Sequence, residues 1–328
     1  MTLTPHLRPM SIGDLLDAAF RLYRRHFLTF IGIAALLQVP FLILQALLQF
    51  AIGGTVNGRL TELLENPAAT EGSSLSDVLP LGQLALYYVL SFGLAIIQGL
   101  VIQNLIAGAL ANAISRSYLG QPVSILGAYR FGAGRLGSLI VASLLLGLLA
   151  LVLAGVVIGV PALLLIGAAA SGRVDGVAGG LLFAFALIGL AILSILLAAM
   201  LLPRFLLATQ AIVLEGKEAV DGLRRSWQLV SGSFWRVLGV VVLMGLIVFV
   251  ISFIFGLPAS ILNAILAVRQ ASPFALTSTQ VLSNLLVEIG TILVMPLQLA
   301  VFTLLYYDLR VRKEGYDLQL MAQQLTTA

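Results

Sequence analysis

The chain has 328 residues, of which 60% are hydrophobic and 10% charged, whereas soluble domains run near a quarter charged. So few charges cannot cover a water-facing surface, and a mean hydropathy of +1.08 excludes a soluble enzyme in favour of a polytopic, all-α integral membrane protein. Net charge is +4, and the basic residues sit beside apolar stretches. The anionic partner this implies is the membrane surface and not nucleic acid.

The chain has no cysteine, which removes disulfides, thiolate metal sites, iron–sulfur clusters and cysteine nucleophiles together. The two histidines, His6 and His26, both precede the first apolar stretch, so no zinc site is expected, and no cofactor is implied. Residues 1–26 contain Asp14, Asp17, Arg21, Arg24 and Arg25 but no apolar core of signal-peptide length. The first span is therefore expected to act as an uncleaved insertion signal.

Breaking the chain at its charged residues yields six segments that meet the ~20 apolar residues needed to cross a hydrocarbon core. They lie at roughly 27–50, 82–114, 137–165, 177–203, 237–262 and 281–307, within a single domain, 1–328. An eight-segment reading with re-entrant pieces is the alternative. The uncharged stretch 78–115 would reach ~57 Å as one helix at 1.5 Å per residue, so it has to tilt, project or break. Pro40, Pro161, Pro203, Pro258 and Pro296 lie in or at the ends of spans, where they can kink them.

Lys and Arg set the orientation. Taken in order from the N-terminal arm to the tail, the segments outside the spans carry four, one, three, one, five, one and three of them. This alternation places both termini in the cytoplasm, with fifteen basic residues inside and three outside.

Each odd-numbered span is preceded by an amphipathic stretch, at 11–25, 123–135 and 218–231. In the first, Ser11 and Asp14 form an N-terminal capping signature. Ile12, Leu15, Leu16, Ala19 and Tyr23 share one helical face, with Asp17 and Arg21 paired on the other. In the third, Val220, Leu223, Trp227 and Val230 share a face.

A shift of 207 residues superposes Asp14 on Asp221, Leu16 on Leu223, Phe20 on Trp227, Leu22 on Leu229, Phe27 on Phe234 and Gly32 on Gly239. The stretch between Ser124 and Arg135 matches poorly. The pattern reads as three repeats, each an in-plane interfacial helix followed by two spans. Chance similarity among apolar sequences is the alternative.

Glu288 is the one acidic residue inside a span, and a carboxylate there is costly. It is the candidate intramembrane functional residue, able to relay a proton or pair with a cation; the plainer reading is a packing hydrogen bond. Gln38, Gln45 and Gln49 on the first span, and Gln98, Gln103, Asn104 and Asn112 on the second, either bond between packed helices or line a polar path. Gly155 and Gly159, like Ser143 and Gly147, have the small-xxx-small spacing that favours close packing. Arg204 is placed to snorkel to headgroups.

Arg21, Arg24, Arg25, Arg224, Arg225 and Arg236 are candidate contacts to anionic headgroups or to an acidic partner, against a role in topology alone. There is no phosphate-binding glycine loop and no HExxH, and the glycine-rich run Gly127–Gly134 follows no strand. No catalytic or metal-binding residue is nominated.

Three stretches carry a family likeness. They are Arg8-Pro-Met-Ser-Ile-Gly-Asp-Leu-Leu-Asp17 with Phe20-Arg-Leu-Tyr-Arg-Arg25, then Leu223-Arg-Arg-Ser-Trp227 with Gly232-Ser-Phe-Trp-Arg236, and then Tyr306-Tyr-Asp-Leu-Arg-Val-Arg-Lys-Glu-Gly315. Together they resemble the bacterial glycerophosphoryl diester phosphodiesterase membrane domain family. In that family the membrane region accompanies a separate catalytic domain with His, Glu and metal-binding carboxylates. No such region follows the last span before Ala328, so the resemblance implies a stand-alone module of a bacterial plasma membrane and does not carry the enzyme activity over.

The expectation is thus a non-catalytic multi-pass protein that contacts lipid or another membrane protein. The alternative is a transporter or lipid-translocating protein that uses the polar residues of its spans and Glu288. Membrane-embedded hydrolysis is a third, weaker reading.

Overall fold

A computed structural model of the chain describes residues 9–54, 81–159, 162–163, 166–167, 177–269 and 272–315. The expectations for Arg8, Arg59, Pro161, Arg173 and the acidic residues between 59 and 77 lie outside the described residues. What is described is helix joined by short turns.

Six helices are long and apolar enough to cross a membrane: Phe27–Gly53, Leu81–Tyr118, Leu136–Ala154, Leu187–Glu215, Phe234–Val268 and Phe274–Glu314. This is the architecture of a multi-pass membrane protein. In chain order the elements are α1 (Ile12–Arg25), α2 (Phe27–Gly53), α3 (Leu81–Tyr118), α4 (Ile125–Ala133), α5 (Leu136–Ala154), α6 (Val177–Leu201), α7 (Ala208–Glu215), α8 (Ala219–Val230), α9 (Phe234–Val268) and α10 (Pro273–Glu314).

The apolar helices show why they are stable. Leu, Ile, Val, Phe and Ala run around α5, α6 and α9 without a polar face and dominate α2, as expected of helices solvated by lipid. Many large apolar side chains therefore point outward, among them Leu28 (82% exposed), Phe92, Leu148, Phe185 and Val242.

The charged short helices α1, α4, α7 and α8 pack at one end of the bundle, where α3, α6 and α10 finish and α2, α5 and α9 begin. This end forms a collar, and successive spans run in alternating directions away from and back to it. The main apolar core lies in the collar and the halves of the spans beside it, built on Leu15, Phe30, Ile106, Leu110, Ile114, Leu229, Val237 and Tyr306.

Local chemistry sets the collar's turns. Ser11 caps α1 in a reciprocal box, its hydroxyl accepting from the Asp14 N–H while the Asp14 carboxylate accepts from the Ser11 N–H. Span four breaks after α6 at the 3₁₀ turn Leu202–Phe205, where Pro203 has no N–H to donate. Ser226 of α8 repairs the break by donating to the Arg204 carbonyl and accepting from the Leu207 N–H. The fourth apolar segment therefore extends beyond residue 203 to Glu215, and the Arg204 guanidinium stacks 4.3 Å over the Trp227 ring.

Close helix contact occurs where glycine permits it. A Cβ on Gly132 of α4 would lie 2.9 Å from the Ala109 nitrogen of α3, and a Cβ on Gly222 of α8 would lie 2.4 Å from Cγ1 of Ile212 on α7. The face α8 buries is consequently Ala219, Gly222, Leu223, Ser226, Leu229 and Val230, while Val220 is 48% exposed. Of the four residues expected to share a face, Leu223 and Val230 are buried and Val220 is not.

Gly155 and Gly159 bound a π-helical turn, and nothing described comes within 4 Å of a Cβ at either. Ser143 does meet α3, donating to the Asn104 side chain at 2.8 Å.

The two outer amphipathic helices share a register. The starts of α8 and α9 follow those of α1 and α2 by the same 207 residues that superpose their sequences. Leu15 and Ala19 are buried, as are their counterparts Gly222 and Ser226. The middle helix α4 has 9 residues and starts closer to its span.

Candidate functional site

Two polar constellations stand out against the apolar bundle. The first lies in the collar and joins the beginning, middle and end of the sequence.

Asp308 of α10 has a fully buried side chain, with Arg236 at 3.0 Å and Arg312 at 3.0 Å, and it accepts the Met10 N–H at 2.7 Å. Both arginines also donate to the Met10 carbonyl. A carboxylate withdrawn from water is tolerated only when paired and hydrogen-bonded throughout, and these three partners satisfy Asp308.

A second ion cluster lies alongside. Arg225 of α8 bridges Glu215 at 2.9 Å and Glu314 at 2.5 Å. Arg310 lies 3.3 Å from Glu314, and the buried Tyr306 hydroxyl donates to Glu215. The Glu314 carboxylate first, and Glu215 with it, hold the Arg225 guanidinium yet more firmly protonated than usual. Lys313 closes the end of α8 by donating to the carbonyls of Gln228 and Ser231, a favourable place for a cation at a helix C-terminus.

Of the six arginines read as headgroup or partner contacts, Arg225 and Arg236 are thus engaged inside the protein. Arg21, Arg24, Arg25 and Arg224 are exposed. Exposed apolar side chains lie close to them in the chain: Phe20 (50%), Phe27 and Leu28 beside the first three, and Val220 beside Arg224. Trp235, 76% exposed, stands at the start of α9.

The second constellation lies in the half of the bundle away from the collar. Along α10, Gln280, Asn284 and Glu288 recur every fourth residue and so share one face. Gln38, Gln45 and Gln49 make a matching stripe on α2, and Ser91 and Gln98 lie a heptad apart on α3.

The stripes meet. Gln38 donates to Glu288 at 2.5 Å, Gln45 to Gln98 at 2.8 Å, and Asn284 to Gln49 at 3.1 Å. Between them is a cleft of about 370 Å³. Helix winding changes beside it: α2 ends in a π-helical turn at Gln49–Gly53, and α3 contains another at Ile97–Ile102. Such a turn shifts the register of the side chains that follow, and π-turns are frequent at functional sites.

Glu288 and the amides of the first two spans are therefore brought together. Asn104 instead turns back to its own helix at Gly99 and Leu100 and receives Ser143. Arg204 and Glu288 lie at opposite ends of the bundle and do not pair.

Sequence reasoning missed three kinds of residue. Asp308, Glu215 and Glu314 were not singled out, because Asp308 is bonded to Met10 298 residues away, Glu314 to Arg225 89 residues away and Glu215 to Tyr306 91 residues away. Asn284 could have been found from its four-residue spacing to Glu288. Tyr87, which also lines the cleft, carried no signal. Among the described residues no group of acidic or histidine side chains is arranged to hold a metal ion.

Residues 10–309 match the model of a domain of unknown function, DUF7847. No curated protein matches the chain, and no solved structure does.

Proposed function

The chain belongs to the DUF7847 family, and from its geometry we propose that it is a non-catalytic, lipid-contacting membrane module of a bacterial plasma membrane, with the collar on the cytoplasmic side. The observation that carries this reading is the interleaving of Arg21, Arg24, Arg25 and Arg224 with exposed Phe20, Phe27, Leu28 and Val220 on one end of the bundle. Cations beside large apolar groups fit the boundary between headgroups and acyl chains. Four exposed arginines at about 1 kcal/mol each near an anionic surface amount to about a thousandfold preference for acidic lipid.

The in-plane setting of α1, α4 and α8 and their origin as repeats belong to the same reading. The shared 207-residue offset of the helix starts supports the repeat. The likeness to the glycerophosphoryl diester phosphodiesterase membrane domain belongs to the same proposal and rests on three stretches of sequence, which in this chain meet. Met10 from the first, Arg225 and Arg236 from the second, and Asp308, Arg312 and Glu314 from the third are bonded to one another.

The test is lipid selectivity. The purified protein, delipidated and titrated with phosphatidylglycerol, is expected to retain it. Replacing Arg21, Arg24, Arg25 and Arg224 together by Gln is expected to weaken that retention by about tenfold or more. Equal retention by the two proteins would refute the reading.

A second reading, transport or lipid translocation, is favoured by the polar stripes around Glu288. It predicts a flux in proteoliposomes that Glu288→Gln abolishes. Hydrolysis of a glycerophosphodiester by the purified chain would contradict the non-catalytic assignment.

A further inference from the structure

Headgroup contact at the collar makes no use of the cleft between α2, α3 and α10. The cleft's polar wall is formed by Gln45, Gln49, Tyr87, Ser91, Gln98 and Asn284, and Glu288 is the one acidic or basic side chain on it among the described residues. Gln38 occupies one oxygen of the Glu288 carboxylate; the other has no partner among the described residues. An acidic side chain inside an apolar span is costly, at the centre of a span by about 2.5–3.5 kcal/mol even on the lower scales. A glutamine in its place could still bond to Gln38 at much smaller cost, so joining helices does not account for a carboxylate here.

The surroundings say what the carboxylate suits. Amide and hydroxyl groups supply neutral acceptors around a single negative charge and no positive one, a setting that repels phosphates and carboxylates and favours a cation. At about 370 Å³ the cleft is many times the ~30 Å³ share of one water molecule and lies at the small end of ligand pockets. It is too roomy for a bare ion and sufficient for a small organic group. Leu44, Leu47, Tyr88 and Val89, 48–68% exposed on the neighbouring turns of α2 and α3, give an aliphatic tail an apolar surface to follow.

We propose that this cleft is a binding site for an ammonium group, held by Glu288 through a charge-assisted hydrogen bond and by the surrounding amide oxygens. The group can belong to a membrane amphiphile or to a soluble amine.

The test uses the full chain in lipid nanodiscs. Binding of dodecylammonium, ethanolammonium and dodecanol is followed by native mass spectrometry for the unaltered protein, Glu288→Gln and Arg24→Gln. Dodecylammonium is expected to bind, to lose about tenfold or more in Glu288→Gln, and to be unaffected by Arg24→Gln. Ethanolammonium binding with the same dependence on Glu288 would identify a soluble amine as sufficient; binding of the amphiphile alone would identify a membrane source. Either supports the site.

Equal binding of dodecylammonium by the unaltered protein and Glu288→Gln, or dodecanol binding as tightly as dodecylammonium, would overturn it. Should Glu288→Gln fail to fold, the unaltered protein decides. Dodecylammonium is expected to protect Glu288 from an apolar carbodiimide, and an undiminished reaction at saturating amine would overturn the proposal.

Discussion

Replacing Asp308 by Asn keeps its volume but removes the charge that faces Arg236 and Arg312. Two guanidinium groups would then be left in the collar without their counter-ion. Losing one partner of a buried ion pair costs about 3–5 kcal/mol, so Asp308→Asn is expected to unfold earlier in a denaturing-detergent titration by about that amount. Arg24→Gln, an exposed change, is expected to move the transition by no more than about 0.5 kcal/mol; equal effects would show that Asp308 is not a structural anchor.

This residue also marks a limit of sequence reading. Its i,i+4 relation to Arg312 is visible in the chain, but its bond to Met10 crosses 298 positions, and no local pattern encodes that. Glu288 was legible because a charge inside an apolar run is conspicuous by itself. Gln38, its partner, was legible only as an amide.

At the scale of elements, the packing of α4 against α3 and α2 can be tested at two residues. Gly132→Ala would place a methyl group 2.9 Å from the Ala109 backbone nitrogen. Backbone cannot yield as a flexible side chain does, and the expected loss is about 2 kcal/mol or more, read in the same titration. Gly155→Ala, at a position with open space around it, is expected to be tolerated, the reverse of what the small-xxx-small spacing implies.

Tyr129 donates from α4 to the Ile33 carbonyl of α2, and burial pushes its phenol up to about 12. A phenol ionises near pH 10 in an unfolded chain. The neutral form is therefore favoured by the fold, and its contribution is full below pH 10 and lost as the pH rises towards 12. Comparing alkaline unfolding of the unaltered protein with Tyr129→Phe is expected to show a steeper loss of stability between about pH 10 and 12 in the former; identical profiles would exclude the role.

Apolar length and the Ser11 capping signature were sufficient to locate α1 and the spans, because a helix in lipid must satisfy its own backbone. The break at Pro203 was legible only as a kink site, since its form depends on Ser226 reaching it from another helix. The π-turns at 49–53 and 97–102 were not legible, because one extra residue per turn leaves an all-apolar stretch looking the same.

At the scale of the molecule, one end of the bundle is charged and tightly packed, and the other is apolar with a polar cleft. The helix α10 shows the contrast along its own length. Its 42 residues extend ~63 Å at 1.5 Å per residue, about twice the ~30 Å hydrocarbon thickness. The segment from Leu304 to Leu309 is buried in the collar. Phe274, at the other end, is 73% exposed.

Such a helix must tilt or project, and Pro296 offers a bend. Tyr23 of α1 donates to the Leu293 carbonyl, in the turn that the proline ring opens. That bond holds α1 to the bend, so Tyr23→Phe is expected to cost about 1 kcal/mol in the unfolding titration, and no change would deny the link.

The count of spans and their alternation followed from scarce charge. How the collar interlocks did not, because it is made of contacts between stretches that are remote in sequence.

The orientation proposed above, with the collar in the cytoplasm and the opposite ends of the spans outside, can be measured directly. The chain contains no cysteine, so single replacements report position without background. Intact cells expressing Asp17→Cys, Lys217→Cys or Arg269→Cys would be treated with a membrane-impermeant maleimide. Labelling of Arg269→Cys from outside is expected, with Asp17→Cys and Lys217→Cys reacting only after the cells are opened. Labelling of the two collar positions in intact cells would contradict it.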